Sequence, residues 1–426
     1  MKVLEQNRSQ ESSSSSTNLL PELSKKPWRI LYIQNGGGGT ATALFSLVQT
    51  LDRKVYDPIV LFLEPDIYTQ KFQEVGIRVL TLDNQLPSLS SIVLYSETTA
   101  NLQKYGKLPS LLYRFFFAFV LITRVIRLIK REKISLVHHN DNLRQDRFTV
   151  LAAWLARVPQ ICHMHAFSQL FWFEKLLIPT VDAFIYVSKA VENYYSDFQL
   201  PVGKGQVIYN GFDTSSSEQV TSQAVLQIRA EFNLGDQEIL ISNVGRLDNW
   251  KGQDYFIEAI AQVIQSYPHV KALIVGAPGT RPHLQAYYQK LQKLVADLNL
   301  TDHVVFTGFR SDIPQIMAAS DILVHSASEP DPCPRVIVEG MLSKRAVIGV
   351  AAGGVPEMID NQITGLLVPP KDASKMAEAI LWVINHPEQA VRMGEVAQQK
   401  AKERFSIEQH VSSVQKLYQR VLKVES

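Results

Sequence analysis

Cysteine is almost absent from this chain. Its 426 residues include two, Cys162 and Cys333, too few and too far apart for a disulfide framework or a recognisable metal-ligand spacing, which fits a reducing cytosol. A surplus of one charge is missing too. Lys and Arg number 43 against 41 Asp and Glu, and a net charge of +2 gives no general attraction to nucleic acid or an acidic partner. Long uncharged apolar runs are also lacking. A spanning helix needs roughly 18 to 20 such residues, and the nearest stretch, LLYRFFFAFVLITRVIRLIKREK from Leu111 to Lys133, is uncharged only over Phe115–Thr123, between Arg114 and Arg124. One reading of it is a long helix packed on a sheet. The other is an interfacial helix whose Arg114, Arg124, Arg127, Lys130, Arg131 and Lys133 approach anionic lipid, as in a peripheral protein at the inner face of the cytoplasmic membrane. The first 26 residues, with a serine run from Ser12 to Ser16, lack the apolar core of a secretory signal and read as a disordered tail.

What is present is an ordinary globular composition, 46% apolar and 20% charged, in a chain long enough for two domains of about 200 residues. Apolar runs and helical patterns alternate from Trp28 onward. Strands are expected at Trp28–Gln34, within DPIVLFLE, and at Arg78–Leu82, Ile134–His138, Gln160–Met164, Ala183–Val187 and Gln206–Tyr209. A polar stretch after the turn at Tyr209–Asp213 marks a linker. A second series follows with EILISNV, Val270–Gly276, His303–Phe306, Asp321–His325 and Arg345–Gly349. Such alternation predicts doubly wound parallel sheets.

Several segments at expected strand ends carry chemistry. Gly36, Gly37, Gly38 and Gly39 lie between the first strand and a helical run, a place where backbone can approach a phosphate; a flexible turn is the plainer alternative. Gly36, Gly38 and Ala41 also fit a loose dinucleotide fingerprint with Glu64, a weak signal. His138-His139-Asn140-Asp141 and His163-Met164-His165 each follow or end a strand, on the ligand side of such a sheet, although a histidine there is as often structural. No carboxylate or cysteine stands at ligand spacing from them, so a metal site is not expected. Arg246 and Lys251, bracketed by Gly245 and Gly252, form a candidate anion clamp, the guanidinium forking onto phosphate oxygens and the ammonium supplying a compact charge. In SASEPDPCPRVIVEGM, Asp331 and Glu339 stand eight apart around a helix start at Pro334 or Arg335. They either face one ligand or, for Asp331 and Glu329, merely cap the helix.

Read in order, VIYNGFD, NVGRLDNWKG, ALIVGAPG, VVFTGFRSDIPQIMAASDILVHSAS, EPDPCPRVIVEGM and GGVPEMI…GLLVPP resemble the motifs of the retaining glycosyltransferases of family 4. The resemblance runs from about Trp28 to the C-terminus and is strongest over Ile208–Pro370. It implies a GT-B fold, α/β, with two Rossmann-like doubly wound domains facing across a cleft. The implied division is a tail at 1–26, an acceptor-side domain at 27–212, a linker at 213–236, a nucleotide-sugar domain at 237–404 and a C-terminal helix at 405–426 crossing back to the first domain.

By the same resemblance, Arg246 and Lys251 grip the donor diphosphate, and Glu339 is the second acid of the family's Glu–seven–Glu motif, on the ribose hydroxyls. Asp331 takes the first acid's place at the donor sugar, among Cys333, Pro334, Arg335 and Val336. Gly308-Phe309-Arg310 meets the nucleobase, largely through backbone. His165 meets the donor sugar and reaction centre, Gly36–Gly39 lie near the acceptor and phosphate, and His138, His139, Asn140 and His163 fall on the acceptor side. Two departures stand out: Asp331 replaces the usual Glu, and Pro334 replaces a common Gly and its N–H. The resemblance further implies transfer of a hexose-type sugar from a UDP-, GDP- or ADP-linked donor to a glycan or lipid-linked acceptor. No D-x-D triplet occurs, and the family normally needs no metal or other cofactor. A non-catalytic sugar-nucleotide-binding partner and a Rossmann oxidoreductase are the competing readings; the second leaves Arg246, Lys251, Asp331 and Glu339 without a task.

Overall fold

A computed structural model describes residues 26–63, 67–81, 107–198, 200, 203–215, 218–235 and 237–423, with residues 67 and 107–114 as helical backbone. Nearly all of the expected tail, and Glu64, lie outside these. Strands β1 (Trp28–Gln34), β2 (Tyr56–Phe62), β3 (Arg78–Thr81), β4 (Leu136–His139), β5 (Gln160–Met164), β6 (Ala183–Tyr186) and β7 (Gly205–Val207) make one parallel sheet in the order 3-2-1-4-5-6-7. Strands β8 (Ile239–Val244), β9 (Val270–Val275), β10 (Val304–Gly308), β11 (Ile322–His325), β12 (Ala346–Val350) and β13 (Leu366–Val368) make a second, in the order 10-9-8-11-12-13.

Helices cover both sheets. Against the first lie α1 (Gly39–Thr50), α2 (Ile67–Glu74), α3 (Lys107–Glu132), α4 (Arg147–Ala156), α5 (Trp172–Leu177) and α6 (Lys189–Ser196). With the second come α7 (Ser222–Glu231), α8 (Gln253–Ser266), α9 (Pro282–Asp297), α10 (Ile313–Ala319), α11 (Arg335–Leu342), α12 (Val355–Met358), α13 (Ala373–Asn385) and α14 (Pro387–Arg404). The last, α15 (Ile407–Leu422), follows directly. The expected pair of Rossmann-like α/β units is what the chain forms.

Strand β1 shows why the runs are continuously apolar. Ile30 and Tyr32 face one helical layer, with Leu44 and Val48 of α1, while Leu31 and Ile33 face the other, with Leu121, Val125 and Ile129 of α3. A parallel sheet covered on both faces has no polar side to alternate with. Strand β4 runs one residue past the expected end at His138, because His139 continues the ladder to Cys162 of β5. The expected linker at 213–236 is not all loop: it contains α7, capped by the Thr221 hydroxyl accepting from the Ala224 N–H at 3.2 Å. Ile228 of α7 packs beside Leu240 and Leu273 of the second sheet.

In each sheet the chain reverses its order once beside the first strand, between β1 and β4 and between β8 and β11. The loops that leave such neighbours diverge to opposite faces and open a crevice at the strands' carboxyl ends, where ligands of open α/β sheets bind. The two sheets are joined by two chain crossings that run side by side. The Phe212 N–H donates to the Phe405 carbonyl at 2.8 Å, and the Ile407 N–H donates to the Phe212 carbonyl at 2.9 Å. Contact is so close that a Cβ on Gly211 would stand 2.7 Å from the Cβ of His410 and 2.9 Å from the Cα of Ile407; only glycine fits.

Beyond the crossing, α15 is capped by the Ser406 hydroxyl, which accepts from the Gln409 N–H at 3.3 Å. Its Val411, Val414, Leu417 and Tyr418 are buried among residues of β1, β2 and α1. Leu417→Ala is expected to destabilise the first domain by about 2 to 5 kcal/mol, the usual range for truncating a buried leucine. Denaturant unfolding followed by tryptophan emission measures it.

Candidate functional site

The crevice of the second sheet is built from the loops after β8 and β11. The Lys251 ammonium donates to Asp331 Oδ2 at 2.7 Å and stands 4.0 Å from the centre of the Trp250 ring. His325, at the end of β11, places Nε2 3.5 Å from the same carboxylate oxygen. Burial opposes ionisation of Asp331, but the Lys251 charge and His325 override it and hold the carboxyl well below the usual range. Burial pushes His325 down, against the pull of Asp331.

Backbone ties make this cluster rigid. The Trp250 carbonyl accepts from the Ser328 N–H at 2.9 Å, and the Ser326 hydroxyl donates to the Lys251 carbonyl at 2.9 Å. Between them Gly252 takes the left-handed region, φ 64°, where a Cβ would stand 2.2 Å from the Ser326 carbonyl oxygen.

Arg246 is exposed and pairs with Asp248 at 3.0 Å. Helix α11 starts after Pro334 and has no acidic residue in its first turn and no side-chain cap, so its positive end is not neutralised. Arg335, its first residue, bonds Glu339 at 3.1 Å and stacks 4.3 Å over the Phe212 ring. Glu339 also lines a cavity of about 150 Å³ with Ser46, Phe212, Asp213 and Pro314. Val336 packs into the core beneath α11.

The crevice of the first sheet holds Gly36–Gly39 as the lead into α1, which likewise has no acid in its first turn. The loop is set from below. Asn35 donates from its amide to Asp141 at 3.1 Å and Asp146 at 2.6 Å, and from its backbone N–H to Asp141 at 2.9 Å. Burial raises both carboxyls, and for Asp146 the charge of Asp141 adds to it. The Asp141 carbonyl also accepts from the His165 N–H at 3.0 Å, so one residue positions both the glycine loop and His165. Asp146 was not among the candidates; no motif marks it, since it is a loop residue whose partner lies 111 positions away.

The two crevices face each other. The position a Cβ would take on Gly39, the first residue of α1, lies 3.9 Å from Cδ of Arg335. Glu357 of α12 clasps the first domain, accepting from the Lys189 and Ala190 N–H groups at 2.8 and 2.7 Å and from the Tyr209 hydroxyl at 2.8 Å. Glu357 was also missed; its signal lay in GGVPEMI, read only as part of the resemblance.

Not every candidate reaches the cleft with free polar atoms. His139 is buried, with Nδ1 bonded to Thr149 at 3.1 Å and Nε2 to Gln160 at 3.0 Å. Asn140 is buried and donates to Gln34 at 2.7 Å. His139 secures the strand, correcting its assignment to an acceptor surface: a ring with both nitrogens already bonded inside the core has none left for a ligand. The Cys333 thiol is pushed up to about 12 by burial and packs between the two domains' cores beside Asn210. Arg310 is held by Glu231 at 2.5 Å and Asp312 at 2.7 Å, so its guanidinium is committed, whereas Phe309 beside it is exposed and Gly308 opens onto free space.

His138 belongs to a buried relay. The Tyr418 hydroxyl donates to Tyr32 at 2.9 Å, so His138 Nδ1–H donates to Tyr418 at 2.6 Å. His138 Nε2 is then the acceptor for His163 Nδ1–H at 3.3 Å, and His163 Nε2 is left a bare, buried acceptor. The His165 ring lies against His163, tilted by 36° with ring centres 4.0 Å apart, and also has a buried Nε2 without a partner. Among the described residues no group of three or more His, Cys, Asp or Glu side chains is placed to hold a metal ion.

Residues 37–216 match the family described as Glycosyltransferase Family 4 and residues 225–400 that described as Glycosyl transferases group 1. The chain therefore belongs to the family-4 glycosyltransferases, with the GT-B architecture. Alpha-D-kanosaminyltransferase of Streptomyces kanamyceticus is 30% identical over 183 residues, 42% of this chain and 45% of that protein. Trehalose synthase of Pyrococcus horikoshii is 27% identical over 266 residues, 61% of each. The chain thus spans about half to three-fifths of these relatives. The structure of Anabaena Alr3699/HepE in complex with UDP-glucose matches 92% of this chain and 99% of its own, with TM-score 0.77 at 23% identity, a likeness of fold.

The buried histidines make acid stability predictable. Burial holds His139 and His410 at about 4 and His165 at about 3, and lowers His138 and His163 as well. Unfolded histidines titrate near 6.5. Their folded values are depressed, so stability is full above about pH 6.5 and falls as pH drops toward 4, by about 1.4 kcal/mol per unit for each fully buried ring. Melting temperature measured from pH 7.5 to 4.5 should drop steeply below 6.5, and less steeply in His139→Gln.

Proposed function

We propose that the protein is a retaining glycosyltransferase that moves a hexose-type sugar from a nucleotide-diphospho-sugar to an acceptor hydroxyl, in polysaccharide, glycolipid or cell-envelope glycan synthesis. The observation that carries this reading is the meeting of two uncapped helix N-termini, those of α1 and α11, beside the Lys251–Asp331–His325 cluster. A diphosphate has the charge and the acceptor oxygens that such a place would satisfy. The relatives support a sugar substrate: one is named for kanosamine transfer, another for making trehalose, and HepE was solved with UDP-glucose.

In this reading Lys251 and Arg246 take the diphosphate, each first leaving its present carboxylate partner, Asp331 or Asp248. Asp331 turns to the donor sugar, shorter by one methylene than a Glu there. Glu339 accepts from the ribose hydroxyls. As the sugar–phosphate bond breaks, negative charge grows on the leaving diphosphate, and the fixed cations and helix ends stabilise it. The acceptor hydroxyl attacks from the same face, its proton passes to the departing phosphate, and configuration is retained. Positioning supplies much of the remainder, with His165 lining the reaction centre. No metal is required by this scheme.

Nucleotide release from a panel of UDP-, GDP- and ADP-sugars tests the reading. Lys251→Ala should lower kcat on the order of 10²- to 10³-fold, as loss of a charge-stabilising group does. Glu339→Ala should raise KM for the donor by roughly 10- to 100-fold, the worth of a charged hydrogen bond. Donor binding with no release across a broad acceptor panel would instead favour a non-catalytic binding partner, and stabilisation by NAD(P) alone would favour an oxidoreductase.

A further inference from the structure

The first domain has a face that none of the chemistry above uses. Phe115, Phe116 and Phe119 of α3 are exposed to 66%, 61% and 65%, and Trp172 and Leu176 of α5 to 74% and 65%. An exposed tryptophan and three phenylalanines are far from the scattered single apolar residues of an ordinary surface. They belong to one side of the domain. Buried Leu121 and Val125 of α3 pack with Ala152 and Ala153 of α4. Phe148 of α4 joins that same layer and lies 6.1 Å, centre to centre, from Phe173 of α5.

Direction places these aromatics at the cleft. Helices α4 and α5 follow strands of a parallel sheet and α3 precedes one, so all three begin at the strands' carboxyl edge. At about 1.5 Å per residue, α3 is much longer than α4, and its turns carrying Phe115–Phe119 run past the first turn of α4. Trp172 stands seven residues beyond His165.

Among the described residues of α3, α4 and α5, the exposed charges have one sign. From residue 107 to 181 the sequence contains eleven Lys or Arg and four acids, Glu132, Asp141, Asp146 and Glu174. All four acids are buried. Arg127, Lys130 and Arg131 on α3, Arg157 after α4 and Lys175 on α5 are exposed. An aromatic rim with cations along its helices and, among the described residues of α3, α4 and α5, no exposed carboxylate is complementary to an anionic bilayer: aromatic rings settle at headgroup depth while the cations meet lipid phosphates. Among the described residues no helix is long and apolar enough to cross a membrane, so contact would be peripheral.

We infer that the face formed by the start of α3 and by α5 docks on an anionic lipid bilayer, with the cleft mouth toward the headgroups. Resting on the glycosyltransferase reading, this makes the acceptor a hydroxyl carried by a lipid anchor and held at the membrane beside His165. Along α3, Lys107 and Arg114 stand in the turns that carry the phenylalanines, while Arg124, Arg127, Lys130 and Arg131 stand toward its other end, so the aromatic rim, which includes Trp172, leads the contact.

Flotation of the full-length protein with vesicles tests this, using phosphatidylcholine alone and phosphatidylcholine with about a quarter phosphatidylglycerol. Binding is expected to the anionic vesicles, at least about tenfold above neutral ones, and to weaken with added salt. Tryptophan emission should shift to the blue on binding, and Trp172→Phe should remove most of that shift. The variant Phe115→Ser/Phe119→Ser/Trp172→Ala should lose binding by about tenfold or more while keeping its melting temperature and its solution-phase nucleotide release. Equal binding to both vesicles, or unchanged binding by the variant, would overturn the inference. So would a wild-type dimer that the variant abolishes, because the face would then be covered by a second copy. Vesicle binding needs no turnover, so failure of the donor panel leaves its outcome readable.

Discussion

The two parallel chain crossings at Phe212 and Ser406 are the constraint on which the arrangement depends. Two sheets, each with its own core, could adopt many relative positions if a single strand of chain joined them. Here two segments pair through backbone hydrogen bonds on both sides of Phe212, and Gly211 lets them touch. The second segment continues into α15, whose apolar stripe completes the first domain's core. The domain that would carry the donor and the domain that would carry the acceptor are therefore stitched twice, and Glu357 adds a third tie at the start of α6. What remains open between them is the cleft at the switch points.

Inside that cleft, charge is arranged in two ways. In the second domain a buried carboxylate is kept ionised because Lys251 stands 2.7 Å away; the pair is neutral as a unit and so tolerable in a partly dry site. A diphosphate would draw Lys251 away from it. In the first domain the opposite device operates. Histidines are crowded without a carboxylate partner, and burial keeps their rings neutral. A neutral ring such as His163, whose Nε2 is left bare, can accept a hydrogen bond without repelling or trapping an anion. Beneath the glycine loop, the raised carboxyls of Asp141 and Asp146 are shared by a single asparagine.

Much of this was legible from sequence. The order of the strands, the loops after β1, β8 and β11, and the helix start at Pro334 all follow from apolar runs, glycines and prolines, which act locally. Lys251, Asp331 and Glu339 stand out as candidates because the segments around them carry recognisable spacing, and the fold brings Lys251 and Asp331 together. His139 was misjudged because a residue at a strand's end can point into the core or into the cleft, and only the register of β4 against β1 and β5 decides which. Asp146 and Glu357 were missed because their partners lie more than a hundred positions away.

Sequence alone thus determined the fold class, the family and the loops on which chemistry could stand, since periodicity and turn chemistry are short-range properties. Tertiary structure decided which polar groups are already spent: Arg310 on two carboxylates, His139 on Thr149 and Gln160, His138 on Tyr418. It also decided that every acid between residues 107 and 181 is buried while Trp172 and the phenylalanines of α3 are exposed. Burial and hydrogen-bond satisfaction depend on neighbours brought together by the sheets, and no stretch of chain carries that information by itself.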